Sequence, residues 1–162
     1  METYKDVLLI SEKTLKDNSL IDANMSYAYV QPVLKKVQDK RLSTILGIEM
    51  YDDIRKQVYD DAISGDTKYL LDNYIKYILI WGVASELQVP LFAKFRNMGM
   101  VNTGDDRANN ISLQDIKYTK NQYEMDANFY EALMAEYICN NSSKYSLYCP
   151  TKKNSNENPI CL

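Results

Sequence analysis

"LDNYIKYILIWGVASELQVPLFAKF", Leu71 to Phe95, is the most apolar stretch of the chain, and its length decides the class of fold. Between Lys76 and Glu86 only Tyr77 to Ser85 are free of charge, whereas a bilayer span takes roughly 20 predominantly apolar residues. The stretch is too short to cross a membrane. Its middle, from Tyr74 through Ile78 and Trp81 to Ala84, is apolar nearly all the way round a helix, the pattern of a helix enclosed by others rather than laid on a surface. Ser64-Gly65-Asp66 breaks the chain before it, and Asp66 or Thr67 can cap a helix beginning there. One long central helix is expected from about Thr67 to Ala93. Gly82 gives up about 1 kcal/mol of helix propensity relative to alanine and permits a close crossing there, while Pro90 predicts a kink near the end.

The rest of the composition agrees with a helical domain. A chain of 162 residues suits one domain with a core of its own. Hydrophobic residues at 46% and charged residues at 25% fit a soluble globular protein. Only five glycines leave room for few hairpin turns. The net charge of −3 argues against binding nucleic acid by phosphate neutralisation as the main task. Fourteen tyrosines suit either half-buried core positions or contact surfaces.

On the N-terminal side, Val7 to Ile10 reads as a short strand or extended lead into a brief helix begun by Ser11 and ended by Asp17-Asn18-Ser19. This start lacks the basic opening and long apolar run of a signal peptide. A second helix capped by Asp22 has the face Met25, Tyr29, Val33 and Val37, with Pro32 kinking it or restarting it near Gln31. Gly47 can end it, and Ile48, Tyr51, Ile54 and Val58 recur at helical spacing beyond.

On the C-terminal side, Met98 to Asn102 and Asn110 to Leu113 suit two short strands joined by the polar tip "TGDDRA", a projecting β-hairpin arm at about 96–112. The alternative is an irregular loop that orders on binding. A last helix then runs from about Ser112 to Asn140, with Ser112 and Asp115 at capping-box spacing. Its apolar stripe is Leu113, Ile116, Thr119, Tyr123, Ala127, Tyr130, Met134 and Tyr137, and its other faces carry Lys117, Lys120, Glu124, Asp126 and Glu131. The remainder, 141–162, reads as a flexible tail too polar to offset its ordering entropy. Tyr145, Leu147 and Tyr148 are sticky points in it that can dock on a neighbour.

Catalytic chemistry is hard to assemble from these residues. The chain has no histidine, so the usual general base and the commonest metal ligand are missing. No phosphate-loop, dinucleotide or nucleophile-elbow motif occurs. Asp52-Asp53 and Asp60-Asp61 are adjacent residues whose side chains diverge on a helix, and Asp105-Asp106 lacks the spacing of an EF-hand loop. Lys35-Lys36 and Lys40-Arg41 form the one basic run and suit a solvated face. Cys139, Cys149 and Cys161 offer neither a disulfide framework nor a zinc site and read as unpaired thiols of a reducing cytoplasm. No catalytic residue, cofactor or metal is expected.

The order of parts carries more information than any single residue. "YVQPVLKKVQDKRLSTILGIEMYDDIRKQV", with Pro32, the "ILG" of Ile45 to Gly47 and the "MYDDI" of Met50 to Ile54, is followed by "LLDNYIKYILIW", by "NMGMVNT" at Asn97 to Thr103, and by a long closing helix. This order resembles the small head-tail connector, or adaptor, proteins of tailed bacteriophages, and is most similar to those of crAss-like and other Bacteroides-type phages. The resemblance covers roughly Ser11 to Asn140. It implies an all-α bundle around a long central helix with a projecting arm, and the chain departs from that pattern in its asparagine-rich extended tail. It also implies a non-enzymatic virion protein, assembled in the host cytoplasm, that forms a homo-oligomeric neck ring of twelve copies to match portal symmetry. Such a ring binds the portal and further neck or tail proteins, and DNA passes through without sequence-specific binding. The expected contacts are Met98, Met100, Val101, Asn102, Ile111, Leu113, Tyr145, Leu147 and Tyr148. Two rival readings are a cellular helical interaction module that forms no ring, and an enzyme using the Asp105-Asp106 loop with a metal.

Overall fold

The structure, a computed structural model, describes residues 3–19, 25–97 and 113–150. The described residues are helical and contain no strand. After a 3-10 turn at Tyr4–Asp6, residues 7–10 are the extended lead without strand pairing. The Ser11 hydroxyl then accepts from the Thr14 amide and caps α1, Glu12–Asp17. α2 runs Tyr27–Leu46 and α3 Ile48–Tyr59. α4, Gly65–Leu70, passes through a π-helical turn at Leu71–Ile75 into α5, Lys76–Asn97. α6 is Leu113–Asn140, followed by a 3-10 turn at Ser142–Lys144.

The central helix expected from 67 to 93 is therefore a continuous helical run of 65–97, capped by Ser64 rather than by Asp66 or Thr67. The π turn adds a residue to one helical turn. Leu70 and Ile75 consequently fall on the same buried side as Ile78 and Leu79. A plain α-helix would have put Tyr74 there instead.

Two expectations for α2 are corrected. The helix does not restart at Pro32, which lies inside it. Proline removes the donor to the carbonyl four residues back, and here Ala28 and Pro32 both sit on the exposed side, where water can take that donor's place. The buried face is Val30, Leu34, Val37, Gln38 and Leu42, not one containing Tyr29. In α3, likewise, Met50, Tyr51, Ile54 and Arg55 turn inward and Ile48 outward.

α2 crosses α5 at Gly82, as the glycine suggested. A Cβ there would lie 2.8 Å from Val37 Cγ1 and 3.0 Å from Arg41 Nε, so these two α2 side chains rest where a larger residue would have to displace them. α6 lies antiparallel to α5 along an aromatic seam. Tyr74 meets Tyr137, Tyr77 stacks on Tyr130 and Trp81 on Tyr123, with ring centroids 5.4, 4.9 and 5.8 Å apart. Such pairs contribute about 0.5–1.5 kcal/mol each beyond area burial. Most of the expected α6 stripe faces this seam, with Ala127, Met134 and Ile138 fully buried.

The N-terminal lead is held by side chains of α2 and α3. Gln38, fully buried, accepts from the Leu9 amide at 2.8 Å and donates to the Val7 carbonyl at 2.9 Å and to the Tyr51 hydroxyl at 3.0 Å. Tyr51 donates in turn to Asp39 at 2.6 Å. Burial, followed by that carboxylate, holds the phenol well above its usual range. Arg55 lies over the Tyr51 ring, pairs with Asp52 and donates to the Lys5 carbonyl.

The chain after α6 departs from the expected flexible tail, because 141–150 fold back onto the body. Tyr145 is buried, with its hydroxyl donating to the Asp66 carbonyl at 3.2 Å, and the Cys149 amide donates to the Leu46 carbonyl at 3.1 Å. Two tyrosines, 145 and 148, pack against the core and anchor an otherwise polar segment. Cys139 is disulfide-bonded, which corrects its reading as a free thiol, while Cys149 is free.

Gly47 makes this docking possible. Its φ of 83° and ψ of 158° belong to a region essentially reserved for glycine, and a Cβ would stand 2.1 Å from the Cys149 carbonyl oxygen. Gly47→Ala should therefore lose about 1–3 kcal/mol in backbone strain alone. It should also release 145–150 to limited proteolysis; an unchanged melting temperature and cleavage pattern would contradict this packing.

Candidate assembly interface

α6 has two apolar faces. The inner one packs on α5. On the opposite side Tyr118, Met125, Phe129 and Leu133 recur at steps of seven, four and four, and the first three are 67%, 62% and 59% exposed. Single exposed apolar residues are ordinary, but a contiguous row marks a contact site. At 1.5 Å per residue the row spans about 22 Å. Its flanks carry the exposed acids Asp115, Asp126 and Glu136, with Lys117 beside its N-terminal end.

Sequence reasoning assigns α6 a single apolar stripe and misses this row. The signal is its helical spacing, diluted by the charged residues in between. Two of those charges also serve differently from expectation: Glu124 and Glu131 both pair with Arg41 of α2, and Asn128 Oδ1 accepts from it at 3.3 Å. Burial by itself would lower the Arg41 pKa, but Glu131 and Glu124 together outweigh it and raise the value. Ser85 of α5 extends the polar seam, donating to the Lys120 carbonyl at 3.2 Å and to Glu124 at 3.3 Å.

Three of the four basic side chains are thus paired within the chain, though Lys36 stays largely exposed. Lys35 pairs with Asp39, and Lys36 with Glu86 at 2.7 Å. Arg41 is no part of a solvated face, with a side chain only 14% exposed. Lys40 remains exposed. The carboxylate pairs are separated as expected for adjacent helical residues: Asp52 takes Arg55, and Asp53 accepts from Gln57 at 2.6 Å. Among the described residues no group of three or more histidine, cysteine, aspartate or glutamate side chains is placed to hold a metal ion. None of their helices is long and apolar enough to cross a membrane.

Of the contacts expected from sequence, Leu113 opens α6 as a helical residue, not a strand end, and is exposed. Leu147 is exposed as well. Tyr145 is buried in its own chain, its ring 6.1 Å from that of Tyr137, and Tyr148 packs partly buried against the same core. Met98, Met100, Val101, Asn102 and Ile111, the arm at 98–112, Asp105-Asp106 and the tail beyond 150 lie outside the described residues.

The described residues define an all-α protein with an exposed apolar row on the outer side of α6. The chain belongs to DUF6712, a family of unknown function, whose model matches residues 42–158. No curated protein and no solved structure matches it.

Two measurements probe the polar seam. Arg41→Met leaves Glu124 and Glu131 without their cation, and should cost about 2–3 kcal/mol, less than the roughly 3–5 kcal/mol of a fully buried pair because Glu124 is 40% exposed. Arg41→Lys should fall between, since an ammonium cannot fork to two carboxylates; equal urea midpoints for all three proteins would exclude the bridge. Glu86 has its pKa lowered by the Lys36 hydrogen bond, partly opposed by burial. A depressed carboxylate stabilises the fold above its unfolded value, about 4.3, and that stability disappears as pH falls through the lower folded value. Glu86→Gln should therefore be less stable than the parent at pH 7 by about 0.2–1 kcal/mol, the range of exposed pairs, with the gap closing in acid.

Proposed function

We propose that this chain is a structural virion protein, a head-tail connector subunit that forms an oligomeric neck ring between the portal and further neck or tail proteins. The observation that carries the reading is the outer apolar row of α6, a helix with its inner face already satisfied. A helix with a second apolar face has a partner beyond its own fold. The order of the connector-like motifs supports the same reading: "ILG" forms the α2–α3 joint, "MYDDI" lies in α3, and "LLDNYIKYILIW" spans the π turn and the Gly82 crossing's approach.

The mechanism is geometric. Each subunit is a rigid block, twelve blocks close a ring, and the duplex passes through its centre. A net charge of −3 repels phosphate and favours sliding over gripping. In this reading the segment 98–112 forms the projecting arm, and Met98, Met100, Val101, Asn102 and Ile111 meet the neighbouring subunit or the portal by strand addition or by ordering on contact.

Native mass spectrometry of the purified chain, alone and mixed with its cognate portal protein, tests the proposal. A ring of one defined copy number, or a portal complex with matched stoichiometry, is the expected outcome. A chain that stays monomeric in both conditions is instead a helical interaction module, and the connector reading is lost.

A further inference from the structure

The occupant of the outer α6 face can be argued from charge. A second copy could meet it in two ways: face to itself about a two-fold axis, or face to a different surface in head-to-tail order. Self-pairing is unfavourable. In an antiparallel arrangement that sets Tyr118 against Leu133, Asp115 falls opposite Glu136 and Asp126 falls close to its own copy, while a parallel arrangement sets each acid beside itself. Like charges brought together across an interface are a strong bar to association.

One other described helix face has the opposite character. α2 turns Pro32, Lys36 and Lys40 outward, along with the Tyr29 ring, which is 58% exposed. These positions share one side of the helix, opposite Leu34 and the rest of its buried face. Lys36 keeps its side chain 60% exposed even while bonded to Glu86. Tyr29 to Lys40 spans about 16 Å at 1.5 Å per residue, a length commensurate with the acidic-edged row on α6. The chain thus carries an apolar surface edged with acid and another edged with base, on helices that both pack inward on α5.

We infer that the outer face of α6 in one subunit seats the outer face of α2 in the next, with Met125 and Phe129 packing around Tyr29 and Pro32, and Asp126 and Glu136 facing Lys36 and Lys40. This interface rests on the ring reading above and gives it a direction. Each subunit contributes one acidic and one basic face, and repetition closes a ring where a two-fold pair would stop at a dimer.

A complementation experiment tests the inference. One variant, Met125→Asp with Phe129→Asp, spoils the α6 face; the other, Tyr29→Asp with Lys40→Glu, spoils the α2 face. All four side chains lie at the surface, and circular dichroism confirms that each variant keeps its helices. Under conditions where the parent assembles, alone or on the portal, each variant alone should be monomeric. Their equimolar mixture should give 1:1 dimers and nothing larger, because only one good interface remains per pair. If the α2-face variant associates by itself, the contact is two-fold and the inference fails. If both variants assemble like the parent, the connector reading stands and this interface is wrong. A parent that never assembles with itself or the portal overturns both.

Discussion

The close approach of α2 and α5 at Gly82 fixes the rest of the molecule. Because no side chain separates the helices there, Val37 and Arg41 lie directly on the α5 backbone, and Arg41 projects past it to α6. A guanidinium in that position must be paired, since an isolated buried cation would be strongly unfavourable. Glu124 and Glu131, seven residues and so about two turns apart on α6, meet that need from the same side of the helix. The pairing sets how far α6 can slide along α5, because a displacement of one turn would separate Arg41 from at least one carboxylate. The register of the bundle is therefore specified by a charged fork, whereas a wholly apolar seam would tolerate several alignments.

The aromatic pairs between α5 and α6 act on the same degree of freedom by different physics. Tyr130 and Tyr123 are seven residues apart, as Glu131 and Glu124 are, so stacked rings and ion pairs share a heptad spacing on neighbouring lines of α6. A tyrosine at such a seam buries its ring and leaves its hydroxyl at the edge, which explains how a chain with fourteen tyrosines accommodates so many beside a narrow core. With its inner face given to stacking and its side to Arg41, α6 leaves Tyr118, Met125 and Phe129 largely exposed, Phe129 touching only the edge of the seam through Tyr130. Their exposure is not a shortage of core, because the core residues of α5 are enclosed without them.

Much of the helical frame was legible in the sequence, and the reasons for the misses are local. Apolar residues around the full circumference identified α5 as central, and Gly82 announced the crossing, because both signals are properties of one helix. The expected face of α2 was misplaced at Tyr29, whose hydrophobicity says nothing about which flank meets α5, whereas Met25, Val33 and Val37 do pack on the core. The π turn had no local signature, since its effect is to align Leu70 with Ile75 only after tertiary packing is present. The polar composition of 141–150 suggested a loose tail, yet Tyr145 and the backbone of Cys149 find partners brought near by folding, at Asp66 and Leu46. The outer apolar row was readable as a period in α6 and was obscured by averaging that period with its charged neighbours.

The N-terminal lead illustrates how rigidity is distributed through this frame. An extended segment has backbone groups that no helix satisfies, and burying them without partners would be unfavourable. Gln38 answers both polarities at once, accepting from Leu9 and donating to Val7, as a strand neighbour would. Its amide is itself oriented by Tyr51, and Tyr51 by Asp39, so the latch is specified by a chain of side chains drawn from α2 and α3. Arg55 adds a contact to Lys5 through a different atom set. The lead, the return segment 141–150 and α6 are thus each fastened to α2 by polar groups placed along that helix, at Gln38, Leu46 and Arg41 respectively. A displacement of α2 relative to α5 would disturb all three attachments together. An element so connected is suited to transmit position rather than to flex, because any shift of α2 strains three separate attachments at once.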